Sequence, residues 1–408
     1  MKKLYLLLLL TIFIWNCGQE KSIPNGYEAL IRDNKGELIT TTLKAVDTAE
    51  LWKTPSTGYN EYFLLGQYNN IRTHTIMRFY PSVYLDSARV ESAELFLSQS
   101  NSFGQGDSMS VTIYPVLSPD WLESSVTWNT IEPLYDATDP IINFKIGNAD
   151  TSLISVPFPA DRVNEWILTE DLDANVRNNG ILFHISQADF MVQFPSSDLQ
   201  VSEPYLRLIY ENEEGNKDTT DVIVTEEATL YEYENTEEEN RAVTGLETIH
   251  IDNLQGYRAM IRFDLSAVPI QASVHQAILS LPIDTDKSYS NEEGINIKVN
   301  VVLLDTTLQN PTWYNTNVSV DSALQYLPQT IAATDVSVLS FADQTNIQYM
   351  SRIVQNWLLE RNPNHGLLLQ SSEYGFNPYS IHFYTGKIDS SRVPELKITY
   401  SLPPAAKF

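Results

Sequence analysis

The chain has 408 residues, enough for two domains of ordinary size, and a formal net charge of −26, from 26 Lys and Arg against 52 Asp and Glu. So acidic a surface, with no basic stripe, repels phosphate backbones and excludes nucleic acid as a partner. One cysteine leaves no pair for a disulfide, and 43% hydrophobic residues with 22 Tyr exclude a disordered chain, so stability must come from packed cores.

At the N-terminus Lys2 and Lys3 precede an apolar run, Leu4–Ile14, of 11 residues. That is too short to span a bilayer but suits the core of a signal peptide. It ends at Cys17, the sole cysteine, and so resembles the lipidation site of a bacterial lipoprotein. Ile14-Trp15-Asn16 stands in place of the usual Leu at −3 and small residue at −1, as in the looser Bacteroidetes-type motifs. Residues 1–16 are therefore expected to be a leader and 17–40 a tether. The body would be held at the outer membrane or cell surface, touching the membrane through a lipid anchor only.

Gly18–Lys44 is polar, with a turn at Asp33–Gly36. From about Thr41 strands are predicted densely, at Ala45–Leu51, Tyr62–Gly66, His74–Tyr80, Val90–Ser98 and Met109–Leu117. β-Branched and aromatic residues alternate there with polar ones, and Gly, Asn, Pro or Asp separates the runs, as in a sandwich or barrel. At Val163, Trp166 and Ile167 the spacing changes to i, i+3, i+4, one face of a short helix, and Gly180 then opens another apolar strand. Pro204–Tyr210 closes the pattern, and the charged stretch Glu211–Asp218 reads as a linker.

After it the pattern repeats. Met77-Arg78-Phe79 returns as Ile261-Arg262-Phe263 and Val90–Leu97 as Val274–Leu281, both 184 residues later. Val163, Trp166 and Ile167 return as Val354, Trp357 and Leu358, Gly180 as Gly366, and Pro204–Tyr210 as Pro394–Tyr400. Near-constant offsets of this length indicate tandem copies of one domain, 41–211 and 220–402, joined by a linker at 212–219.

These landmarks resemble the DNRLRE-domain family. They are Arg78-Phe79, the Val90–Leu97 strand, Trp121-Leu122-Glu123-Ser124-Ser125-Val126-Thr127-Trp128-Asn129, Val163–Trp166, Asn179-Gly180 and Pro204–Tyr210. The W-x-E-x-S-x-T-W-N element is the most specific of them. In the second copy it is reduced to Pro311–Thr316, read as lacking a counterpart to Trp121 or Glu123. The resemblance covers nearly all of the chain after the leader. It implies an all-β protein of two tandem jelly-roll β-sandwiches, each with one short helix before its last strands. It also implies a non-catalytic module of the carbohydrate-binding kind, with a polysaccharide or cell-surface glycan as ligand.

The residues themselves offer no H-E-x-x-H, no G-x-S-x-G elbow and no phosphate-cradling loop, and the six His are scattered. The chain is therefore read as no enzyme. A structural or adhesive surface protein with protein partners is the alternative, and a polysaccharide lyase or hydrolase comes third. Arg78 and Arg262 are the sharpest binding candidates. Alternation sends Phe79 and Phe263 to the core and each Arg to the opposite face, where a guanidinium suits sugar hydroxyls and carboxylates. A cross-strand ion pair is the competing use of each Arg. Tyr62, Tyr68, Asn69 and Arg72 are expected on the same side or its rim, with Tyr257 and Arg258 in the second copy. Trp52, outside the landmarks, is the candidate for an exposed stacking residue, while Trp121, Trp128, Trp166, Trp313 and Trp357 are assigned to packing. Calcium is the cofactor that the acidic loops would suit, at Asp284, Asp286 and Ser288 or at Glu170, Asp171, Asp173 and Asn175. The first loop lacks the Gly and Glu of a full calcium-binding pattern.

Overall fold

A computed structural model describes residues 37–403 except 56, 70, 82–87, 150, 168–177, 233–239, 291–294, 305–308, 310, 314–315, 317, 332–336, 343–348 and 372–377. The expected leader, Cys17, the turn at Asp33–Gly36 and the acidic run Glu170–Asn175 lie outside the described residues. Within them the chain is a set of antiparallel strands with three short α-helices, the all-β, sandwich-like fold that the alternation predicts.

Along Arg89–Gln99 the expected alternation holds, with Val90, Ala93, Leu95 and Leu97 buried and polar residues between them. They join Phe79, Val111, Ile113, Phe183 and Leu206 in one hydrophobic core. A second core gathers Phe263, Ala277, Leu279, Val299, Val301 and Leu396. The helices Ala160–Ile167 and Tyr349–Leu358 each lay the predicted triad, Val163, Trp166, Ile167 and Val354, Trp357, Leu358, onto one core. An amide pins each helix to the strand beneath. Asn164 Oδ1 accepts from the Val90 amide at 2.8 Å and Gln355 Oε1 from the Val274 amide at 2.9 Å.

The assignment of strands to cores departs from the sequence reading. Glu211–Asp218 is no linker: Tyr205–Glu211 and Lys217–Glu232 pair from Tyr205 with Ile223 to Glu211 with Lys217, and Asn212–Asn216 is the turn of that hairpin. Strand Lys217–Glu232 then runs on to pair with Ile71–Phe79, so it completes the first core, to which it gives Val222 and Val224. The charged turn looked like a linker because a solvent-facing hairpin tip has the same composition. Strand Ile39–Trp52, the first among the described residues, lies in the other assembly. Its first half pairs with Glu395–Ser401 and its second half with Tyr257–Phe263, and Leu43 enters the second core.

These two long strands are equivalent. Ala45 faces Phe263 as Val224 faces Phe79, Trp52 faces Tyr257 as Tyr231 faces Thr73, and both ladders slip after their first pair, at Val46 and Thr225. An extra residue there bends the strand and increases its twist, so one strand passes from one sheet of its sandwich to the other. Each repeat is thus closed by a strand that lies outside its own landmark series. A fragment 41–211, cut at the expected linker, lacks the strand that closes its core and carries one with no partner. It should remain largely unfolded, whereas 54–232 should show a cooperative thermal transition by circular dichroism. Cooperative unfolding of 41–211 at the same temperature as 54–232 would contradict the strand assignment.

Candidate functional site

The outer side of strand Ile71–Phe79, opposite the first core, was the expected ligand face. It is largely covered. Ile76, Leu182, Ala228 and Leu230 on the sheet pack against Val116, Trp121, Val126, Trp128 and Ile131, from the W-x-E-x-S-x-T-W-N segment and its flanks, in a second, smaller core. Arg78 is sealed under that cover, with its side chain only 9% exposed. Its guanidinium lies 4.4 Å from the centre of the Trp121 ring. Nη1 is 2.8 Å from Glu226 Oε2, and Nη2 donates to the carbonyls of Pro119 and Asn179 at 3.2 and 3.3 Å. Arg78 is therefore a packing and pairing residue, not a ligand contact. The alternation was read correctly, but the face it points to is not solvent.

Arg262 behaves differently. It takes the cross-strand ion pair, giving Nε–H and Nη2–H to Asp47 Oδ2, and its side chain is 44% exposed. A cavity of about 290 Å³ opens beside it, lined by Asp47, Thr244, Leu304, Trp313, Asn364 and His365 among others. Trp313 proves to be the counterpart of Trp121, which the sequence reading took to be missing. Each indole N–H donates at 2.7 Å to the carbonyl before a glycine, Asn179 before Gly180 and His365 before Gly366. Both glycines have φ near +100°, and a Cβ on either would press within 3.2 Å of its indole.

One stretch of the first outer face stays open, beyond the cover. Register sets His74, His184, Thr112 and Asn143 side by side across four strands, with Tyr114 in the next row beside Leu182. The ring of His184 stacks on His74 at 4.7 Å, and Tyr114 and Tyr135 each approach it at 5.8 Å. Trp128, from the cover, stacks on His74 at 4.1 Å. At one end Glu232 accepts from Arg72 Nη1 at 2.9 Å and from His74 Nε2 at 3.0 Å. The His74 tautomer is fixed, because Nδ1 accepts the amide of Ile185 at 3.1 Å.

Four titratable groups on this strip are shifted from their ordinary values. Hydrogen bonds from His74 and Arg72 pull Glu232 down to about 2. Burial, reinforced by the neighbouring His74, pulls His184 down to about 4, and burial lowers His74 as well. Burial, then the nearby Tyr114, raises Tyr135. Of the predicted residues the strip holds Arg72 alone. The two histidines were read as scattered because they come from strands more than 100 residues apart, and only the register joins them.

The other predicted residues fall elsewhere. Trp52 is 8% exposed, which rules it out as an exposed stacking residue. It extends the ladder of the N-terminal strand, where core packing was the rival use. Tyr62 is half-buried at the start of Tyr62–Tyr68. The Tyr68 ring stands 5.9 Å from that of Tyr289, and the Asn69 side chain bonds to the same Tyr289, so both join the two assemblies to each other. The Tyr257 ring is 4.3 Å from His250, and Arg258 is buried, with Nη2 donating to Asn240 Oδ1 at 2.8 Å. Around Asp284, the carbonyl takes the amide and the hydroxyl of Ser288, and the carboxylate faces Lys287 Nζ at 3.8 Å. Asp286 is exposed. Among the described residues no three His, Cys, Asp or Glu side chains gather as a metal site would require.

Compared with known protein families and with curated proteins, the chain matches none. Among solved structures it is similar to the Macrobrachium rosenbergii nodavirus, at 10% identity over 91% of each chain with a TM-score of 0.16. The VP2 protein of infectious bursal disease virus is matched at 9% identity, over 90% of this chain and 74% of that one, with a TM-score of 0.10. Likenesses this faint carry no argument about fold or function.

Sequence reasoning also missed a buried carboxylate, Glu227, beside the half-buried Glu123. Glu123, from the specific motif, accepts the amide of Glu227 at 3.1 Å, and Glu227 Oε1 accepts the amide of Ser197 at 2.5 Å. Oε2 of Glu227 is buried with no hydrogen-bond partner among the described residues. Burial first, and then the charges of Glu123 and Asp198, push Glu227 up to about 7. A raised folded-state pKa favours folding at low pH and loses that contribution as pH rises towards 7. Glu227→Gln should therefore stabilise the protein at pH 8 by about 1–3 kcal/mol, with the gain shrinking towards pH 5. Urea titrations at the two pH values measure it, and equal effects at both would refute the assignment.

Proposed function

We propose that the protein is a non-catalytic, extracytoplasmic lipoprotein of two jelly-roll sandwiches in tandem, and that it binds a polysaccharide or cell-surface glycan on the strip around His184. The observation that carries this reading is the strip itself: half-buried Tyr114, Tyr135 and His184 rings beside the hydroxyl of Thr112, the amide of Asn143 and the fixed Arg72–Glu232 pair. Apolar C–H faces of a sugar ring pack on such rings, while its hydroxyls find donors and acceptors already held in place. Glu232 and His184 titrate far from neutral pH, at about 2 and about 4, which supports binding over general acid–base chemistry.

Affinity electrophoresis in gels containing soluble glucan, mannan, xylan or pectin tests the reading. Tyr135→Ala and His184→Ala should each weaken binding about tenfold, while Arg78→Lys, under its cover, should leave binding unchanged. Retention by none of the polysaccharides would move the reading to a structural or adhesive surface protein. Because His184 stays neutral well below its usual range, binding should be flat from pH 8 to pH 5 and fall only as pH nears 4. A midpoint near 6.5 would contradict the geometry.

A further inference from the structure

The two arginine seats differ in one respect that assigns a ligand to the second. In the first copy the chain fills its own seat. The guanidinium of Arg78 lies on Trp121, pairs with Glu226 and donates to the carbonyls of Pro119 and Asn179. In the second copy Pro311-Thr312-Trp313 stands where Pro119-Asp120-Trp121 does, His365 stands for Asn179 and Asp47 for Glu226. The walls of the seat are therefore kept. Its occupant is not. Asp47 is one methylene shorter than Glu226 and holds Arg262 out at the rim, and the space left beside Trp313 is the cavity of about 290 Å³.

We infer that this cavity seats a guanidinium from outside the chain, the side chain of an arginine on a basic partner polypeptide. The Trp313 indole among its lining residues suits a flat cation rich in donors. Asn364 Oδ1 is buried there without a hydrogen-bond partner among the described residues, whereas its counterpart Asn178 accepts the Gly180 amide at 3.3 Å. Arg262 is already neutralised by Asp47, and the net charge of −26 draws basic polypeptides towards the surface. The seat is separate from the strip around His184, so either can fail without the other.

The test is calorimetric titration of the full chain with blocked arginine (Nα-acetyl-arginine N-methylamide), blocked citrulline and free arginine. Blocked arginine should bind at least about tenfold more tightly than blocked citrulline, which keeps the shape and loses the charge. Arg262→Gln removes the rival cation and releases Asp47, so it should tighten binding by about tenfold, and adding Asp47→Asn should abolish that gain. Equal binding of arginine and citrulline by both wild type and Arg262→Gln would overturn the inference, as would weaker binding by Arg262→Gln. Free arginine binding more tightly than the blocked form would overturn the polypeptide partner and assign the seat to the amino acid itself.

Discussion

Everything in this molecule depends on where one strand pairs. The last strand of the second repeat, Glu395–Ser401, would present a row of unpaired N–H and C=O groups along one edge, the usual template for aggregation. In the first repeat a tight hairpin covers that edge, because Lys217–Glu232 folds straight back on Tyr205–Glu211. In the second repeat Ile39–Trp52 takes the same place from the other end of the chain. The consequence is mechanical. From Ile39 the chain runs through the second assembly, crosses to build the first, and crosses back. The strand that precedes the first assembly in the chain is therefore paired into the second, and the Tyr68–Tyr289 contact lies where the two meet.

The pairing also decides which surfaces a ligand can reach. Both closing strands turn Ala49 and Leu51, or Ala228 and Leu230, onto the outer side of the sheet, where each pair founds a small second core roofed by a tryptophan. Under one roof Arg78 is locked over Trp121. Under the other Arg262 is held at the rim and leaves a cavity. A one-carbon difference between Glu226 and Asp47 accompanies the two outcomes. What the roof leaves uncovered in the first repeat is the row of rings and polar groups around His184. Two positions related by the repeat have thus become chemically different, one a packed interior and one an opening.

Much of the fold was legible in the sequence. Alternation at Val90–Leu97, the helical triads at Trp166 and Trp357, the glycines that follow and the closing strands are local patterns, and local geometry produces them. The strand exchange was not legible, because Ile39–Trp52 reads equally well beside either repeat. Nothing in the composition of Asn212–Asn216 separates a hairpin tip from a linker. Arg78 and Arg262 were placed on the correct side of their strands, but alternation gives direction and not exposure, and the covering segment lies some 40 residues away in sequence. The strip escaped notice because His74 and His184 meet only through the ladder of Ile71–Phe79 with Ile181–Ile185. The equivalence of Trp313 to Trp121, read in the sequence as missing, lies in its bond to the His365 carbonyl and not in the residues around it.

The most direct measurement of the strand exchange is a competition between two engineered disulfides in a Cys17→Ser background. Thr40 and Thr399 face each other in the exchanged ladder, with their hydroxyl oxygens 3.2 Å apart. Ile209 occupies the matching place in the first repeat, where its partner is Thr219. With the exchange, Thr40→Cys/Thr399→Cys oxidises readily to an intramolecular disulfide and raises the melting temperature, while Thr40→Cys/Ile209→Cys stays reduced. A disulfide that forms in the second variant and not in the first would place Ile39–Trp52 in the first repeat and contradict the account.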